Sequence, residues 1–225
     1  MALNFFFNYP GMHQLIVSRI LESLEASEVA YTSDVNLPVH RSLLNGKGEE
    51  LLSAAYRELE GKDDYPLLHH LKVPVQVGKH LLVYDDANHF NRYRLVTLKS
   101  ALYRVFNYPW HAAYLRMCRT HERECLLSGL QERVWSGPPL ARSCFGPADV
   151  PGELSGTGAP GWKLNAYNDL QYDLISRLEG YRLHRIPAYE NLMIGGRLQR
   201  IDKLLLRPDD SVMRAIGAWL LRKMG

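Results

Sequence analysis

The run Leu81-Leu82-Val83-Tyr84-Asp85-Asp86-Ala87-Asn88-His89-Phe90-Asn91-Arg92-Tyr93-Arg94 packs an unusual density of reactive side chains into one short stretch. An apolar segment runs directly into two carboxylates. A histidine follows three residues after the second, and then two arginines flank Tyr93. Paired acids at a strand end, Asp85 and Asp86, can hold Mg²⁺, whose octahedral shell prefers oxygen. His89 can accept or donate a proton during water attack on phosphorus. Arg92 and Arg94 can clamp a phosphate through charge-assisted hydrogen bonds. The same letters also read as plain structure, because Asp-Asp-Ala-Asn is a good turn sequence and a histidine after a turn commonly caps it or faces water.

A second constellation holds all three cysteines, Cys118, Cys125 and Cys144, with His121 between the first two. On a continuous helix 110–127, Cys118, His121 and Cys125 share one face, and Cys144 supplies a fourth ligand for a closed, structural Zn²⁺ site. The alternative is that the cysteines are small buried apolar residues of an amphipathic helix. An odd cysteine count without a secretion signal argues against a disulfide framework and for a reducing cytosol.

These groups need elements to position them. Apolar periodicity predicts a helix over 11–26 and another over 45–60, the latter with Asn45 as N-cap and Gly61 as its stop. Residues 72–77 and 80–85 read as a β-hairpin around Gly78-Lys79, with Pro74 marking the first strand as an edge or a bulge. Helices are expected at 94–106 and 110–127. The stretch 136–161 is rich in Pro and Gly and reads as an ordered insertion, since Cys144, Phe145 and Leu154 give it something to bury. A helix over 162–179 ends at Gly180, a strand follows over 181–187, and helices are expected at 189–206 and 210–223. Lys163 sits near the start of the 162–179 helix, whose N-terminus favours phosphate. The outer face of that turn is equally suited to an ordinary exposed lysine.

Composition sets the outer limits. The chain has 225 residues, 46% of them hydrophobic, which suits one packed domain and excludes general disorder. No apolar run reaches the ~18 residues of a membrane-spanning helix. The first ten residues carry no basic leader and read as mature sequence. The net charge is only +3, but it is sorted. Residues 49–90 hold eight acids and four bases, 91–135 eight bases and three acids, and 170–225 ten bases and six acids. Acid enclosed by base is the pattern a metal-dependent nuclease needs, with carboxylates for the cation and bases for phosphates; it also describes unequally charged solvated surfaces. Tyr93, Tyr103, Phe106, Tyr108, Trp110 and Tyr114 interleave with basic residues, as in single-strand binders, yet their spacing also suits a helical core.

The order of a hairpin ending in acid-x-x-x-His and a later helix carrying Asp169 and Asp173 resembles a known family. After that helix come Gly180 and the basic strand Tyr181-Arg182-Leu183-His184-Arg185-Ile186-Pro187. It is similar to the small PD-(D/E)XK nuclease-like proteins related to very-short-patch-repair endonucleases. The resemblance covers residues 45–90 and 162–187, matching Asp85, His89, Asp169, Asp173, Gly180 and Arg185. It implies that Glu49 or Glu50 is the acid of the leading helix. Two positions depart from the family pattern: Val83 stands where a Glu is usual, and the preceding strand has no acid.

The expected fold is therefore helix-rich α/β (α+β). It has a restriction-endonuclease-like αββ…αβ core at 45–94 and 162–187, a helical and loop insertion at 95–161, and C-terminal helices over 188–225, all in one domain. The resemblance implies a Mg²⁺-dependent nuclease acting on DNA, with Asp85, Asp86, His89, Glu49 and Glu50 as catalytic candidates and Arg92, Arg94 and Lys163 on phosphate. The alternative it leaves is an inactive nuclease-fold protein that binds nucleic acid or a protein partner.

Overall fold

The computed structural model of the chain describes residues 10–225. Residues 1–9, most of the segment read above as mature sequence, lie outside the described residues. In chain order the elements are α1 (Pro10–Glu25), β1 (Thr32–Pro38), α2 (Lys47–Glu58), β2 (His70–Val77), β3 (His80–Asp85) and α3 (Arg92–Leu98). Next come α4 (Leu102–Val105), α5 (His111–Thr120), α6 (Glu122–Gly129), α7 (Glu132–Ser136), α8 (Pro139–Phe145) and α9 (Pro160–Leu178). The chain ends with β4 (Arg182–Pro187), β5 (Asn191–Ile194), β6 (Arg197–Arg200), α10 (Ile201–Leu206) and α11 (Asp210–Met224). Short 3-10 turns occupy Arg41–Leu44 and Ala87–His89. The fold is mixed α/β, and its chain contacts resolve into two compact units.

The sheet unit comprises residues up to 37, 70–86 and 180–225. Its four strands lie in the order β1-β2-β3-β4. β2 pairs antiparallel with β3, Val75 opposite Leu82, and β3 pairs parallel with β4, Val83 opposite Arg185. Residues Val75, Leu82, Tyr84 and Ile186 join Ile16, Ile20 and Leu24 of α1 and Ile216, Leu220 and Met224 of α11 in one buried core. The α1 residues recur every four positions, which stacks them on one helix face. Full burial of each such side chain contributes about 1.5–3 kcal/mol. Gly217 lets α11 approach α1 closely: a Cβ there would lie 2.0 Å from Ser27 Oγ and 2.3 Å from the Ser23 carbonyl oxygen.

Three expectations change here. Residues 189–206 are not one helix but the hairpin β5–β6 followed by α10. Gly195 and Gly196 both take positive φ (+58° and +74°), the backbone a two-residue hairpin turn requires, and Leu192 and Met193 alternate buried and exposed. β1 occupies a segment that periodicity left unassigned. β2 is an interior strand, although Pro74 falls outside its ladder with β3, which spans Val75–Val77. The predicted C-terminal helix is present as α11, and its apolar face is covered by α1.

The helical unit comprises residues 38–69 and 87–179. The long helix α9 is its hub: α2, α3, α7 and α8 all pack on it. Its buried apolar residues include Trp162, Tyr167, Leu170, Leu174 and Ile175. Pro160 occupies its first turn, where a missing N–H costs nothing. Pro139 does the same for α8, a short helix inside the Pro/Gly-rich stretch expected as an ordered loop or insertion.

Asn45 is not the cap of α2. It ends the preceding 3-10 turn in the left-handed region (φ 44°), and Gly46 occupies the cap position without a side-chain bond. The helices expected at 94–106 and 110–127 are each divided. The first becomes α3 and α4, and the second breaks at His121 between α5 and α6. No helix among the described residues is long and apolar enough to cross a membrane.

Candidate functional site

In the sheet unit, the parallel β3–β4 ladder fixes the surroundings of Asp85. Arg185 lies opposite Val83, two residues before the partner of Asp85, so the two side chains project from the same face of neighbouring strands. Arg185 Nη1 donates to Asp85 Oδ1 at 2.9 Å and to Oδ2 at 2.8 Å. Both residues are buried, 1% and 2% exposed. A guanidinium therefore supplies the positive charge that this carboxylate needs inside the protein. Asp86 turns to α1, where His13 Nδ1 stands 3.9 Å from its Oδ2. Val83, at the position where the family pattern calls for Glu, is a buried apolar side chain.

In the helical unit, a chain of local devices aims two side chains at α9. The 3-10 turn Ala87–His89 carries His89 inward, where it is 5% exposed. Asn91 then caps α3: its Oδ1 accepts from the Tyr93 and Arg94 backbone N–H groups, each at 3.0 Å, and its Nδ2 donates to the Asn88 carbonyl. That cap sets the first turn of α3 and with it the direction of Arg94. On α9, Asp169 and Asp173 are one helical turn apart and so share a face. His89 Nδ1 lies 2.9 Å from Asp169 Oδ2. With Nδ1–H donated to this carboxylate, the lone pair of a neutral ring sits on Nε2, the arrangement that orients a histidine for proton transfer or metal ligation.

Arg94 binds the second acid. Its Nη2 donates to Asp173 Oδ2 at 2.7 Å, and its Nε is 3.7 Å from Asp169 Oδ2. Nη1 donates to Tyr103 Oη at 3.0 Å and Thr97 Oγ1 at 3.2 Å. Tyr103 Oη in turn donates to Asp173 Oδ2 at 2.5 Å, and Tyr108 Oη donates to the Asp173 backbone carbonyl. The result is a buried polar network in which one guanidinium, two carboxylates, two phenols and an imidazole share bonds. Such networks gain strength from low local dielectric only while each member is satisfied.

The remaining candidates stand elsewhere. Arg94 and Lys163, expected on phosphate, are almost fully buried. Lys163 Nζ pairs with Glu60 at 2.5 Å and lies over the Tyr93 ring, because the first turns of α9 face the protein interior. Arg92 is half-exposed and pairs with Glu122 at 2.7 Å. Glu49 is bound by Arg41 at 2.7 Å, and Glu50 is exposed on α2.

The cysteines are buried thiols. His121 stands at the break between α5 and α6, while Cys118 and Cys125 lie on the buried side of those helices. Cys125 Sγ donates to the Asn88 carbonyl and His121 binds Glu124. Among the described residues, Cys118, His121, Cys125 and Cys144 do not bring three ligand atoms within 4.8 Å of one another. Burial pushes the Cys144 thiol up.

Sequence reasoning missed Asn91, Thr97, Tyr103 and Tyr108 as parts of the site. Asn91 had a readable signal, a capping residue directly before a helix. Tyr103 and Tyr108 had none, because their spacing is that of an ordinary helical core.

One family model, described as a family of unknown function, matches residues 54–207. No curated protein and no solved structure matches the chain.

Proposed function

From the premise that the chain belongs to the family of unknown function DUF7255, whose description names no activity, we propose that it is a nuclease-fold protein that binds nucleic acid without hydrolysing it. The sheet order supports the fold half of this reading. The β2–β3 hairpin ends in Asp85, helix α9 carries Asp169 and Asp173, Gly180 follows, and β4 brings Arg185 beside β3 in parallel. That is the succession the resemblance to PD-(D/E)XK nuclease-like proteins calls for.

The observation that carries the functional half is the Asp85–Arg185 pair. Both oxygens of the acid best placed to hold Mg²⁺ accept from one buried guanidinium. A divalent ion would have to compete with that cation for the same lone pairs, at the cost of leaving Arg185 buried without its partner. The basic excess over 91–135 and 170–225 supplies the electrostatic term of nucleic-acid binding.

A specific observation favours a second reading, Mg²⁺-dependent hydrolysis: the buried His89–Asp169 dyad has the geometry of an oriented proton carrier. One pair of assays separates the two. Fluorescence anisotropy with labelled duplex and single-stranded DNA is expected to show binding that weakens steeply with salt. Plasmid nicking with Mg²⁺ or Mn²⁺ is expected to be absent. Nicking that disappears in Asp85→Ala would establish the hydrolytic reading, and no binding to either DNA would remove the proposal.

A further inference from the structure

Most of the charged side chains that drew attention in the sequence are neutralised inside the protein. The outer face of α5 and α6 is the opposite case. Trp110, Tyr114, Cys118 and Cys125 form the buried side of this pair of helices. Arg116, Arg119 and Arg123 stand exposed on the other side, at intervals of three and four residues. The backbone N–H of His121 bonds to the Met117 carbonyl and closes α5, and that of Cys125 bonds to the His121 carbonyl and opens α6, so Arg116 and Arg119 belong to α5 and Arg123 to the first turn of α6. Among the described residues, these three guanidinium groups make no hydrogen bond, ion pair or ring contact. The two acids that interrupt the row are already engaged, Glu122 by Arg92 and Glu124 by His121. With Glu122 offset by Arg92, the three arginines outnumber the remaining acid, Glu124.

We infer that the α5–α6 arginine row is the surface through which the chain grips the phosphate backbone of duplex nucleic acid. This deepens the nucleic-acid-binding reading above and rests on it. The seven residue steps from Arg116 to Arg123, nearly all helical, cover about 10 Å at ~1.5 Å per residue. Over that length a duplex presents roughly six phosphate charges, enough for each arginine to meet one. Guanidinium groups suit the task because their fixed fork of donors matches phosphate oxygens. The contact assigned is to the backbone, the mode in which neutralised phosphate charge supplies the affinity and carries no sequence information.

The test uses the full chain and a short fluorescein-labelled duplex of mixed sequence, titrated between about 50 and 200 mM salt. For Arg116→Ala/Arg119→Ala/Arg123→Ala, the slope of log K against log salt is expected to fall by about 3, near one unit per lost phosphate contact. The triple lysine variant is expected to restore most of the slope, and Arg142→Ala, which removes an exposed charge on α8, to leave it unchanged. If the wild type binds duplex and the triple alanine variant keeps its slope, the inference fails while the nucleic-acid reading stands. The inference is also overturned if the lysine variant is as weak as the alanine variant, or if the wild type prefers phosphatidylserine vesicles to duplex. A wild type that binds no nucleic acid at all removes both.

Discussion

The two units bury an arginine against an aspartate in different ways. In the sheet unit, strand register sets Asp85 beside Arg185, and a single guanidinium nitrogen meets both carboxylate oxygens. In the helical unit, Arg94 and Asp173 are embedded among Tyr103, Thr97, Tyr108, Asp169 and His89. In the helical network every deletion orphans another buried polar group. The sheet pair is set by the pairing of two strands, whereas the network specifies where α3 and α9 meet.

The largest expected effect breaks either pair from one side. Asp173→Ala and Asp85→Ala each remove the carboxylate that binds a buried guanidinium most closely and should lower stability by about 3–5 kcal/mol in urea unfolding. The double replacements then sharpen the contrast. Asp85→Leu/Arg185→Met should recover most of that loss, because buried pairs exchange for apolar residues at little net cost. Asp173→Leu/Arg94→Met should remain destabilised by ~2 kcal/mol or more, since the buried Tyr103 hydroxyl loses its bonds to both residues. Equal recovery by both doubles would show that the network adds nothing to the Arg94–Asp173 pair.

Smaller changes probe the network's edge. Tyr103→Phe removes one donor to Asp173 and should cost about 1–2 kcal/mol while leaving the sheet pair untouched. Arg92→Ala, which breaks a half-exposed pair with Glu122, should cost at most about 1 kcal/mol, and less at high salt. A loss as large as that of Tyr103→Phe would show that exposure is not what separates the two.

The sheet unit also carries a pH response. His80 Nδ1 and His184 Nε2 lie 2.9 Å apart on β3 and β4. Burial first, then His80 and the nearby Lys223 and Arg182 charges, hold His184 down at about 4, against an ordinary value of 6.5. Burial and Arg182 lower His80 as well. Below about 6.5 the unfolded chain takes up protons that the folded pair refuses. The pair's contribution is thus complete above that pH and is lost as pH falls toward 4. The urea midpoint should drop across this window in the wild type and drop less in His184→Gln. A midpoint that is flat from pH 7 to 5 would exclude the effect.

Much of the fold was legible. The β2–β3 hairpin announced itself through Gly78-Lys79 between apolar runs, and α1, α9 and α11 through apolar periodicity. β1 was not, because Thr32–Pro38 shows no buried face of its own: its side chains are mostly exposed and its pairing with β2 defines it. The β5–β6 hairpin was hidden by a residue spacing that fits a helix equally well, and only the positive φ of Gly195 and Gly196 decides against it. At the site, the types of Asp85, His89, Arg94, Asp169 and Asp173 marked them as chemically able. Their pairings join positions about 80–100 apart in sequence, a separation over which no local periodicity operates.

What the sequence determined by itself was the inventory: which segments could be helix or strand, where charge of each sign is concentrated, and which side chains could do chemistry. Those properties are local, set by backbone preference and residue type. Tertiary structure alone decided which charges meet. It spent Asp85 on Arg185, Arg94 on Asp173 and Lys163 on Glu60, and it left Arg116, Arg119 and Arg123 facing solvent. The physical reason is that burying an ion without a partner is so costly that packing selects its companion, whereas a charge in water needs none.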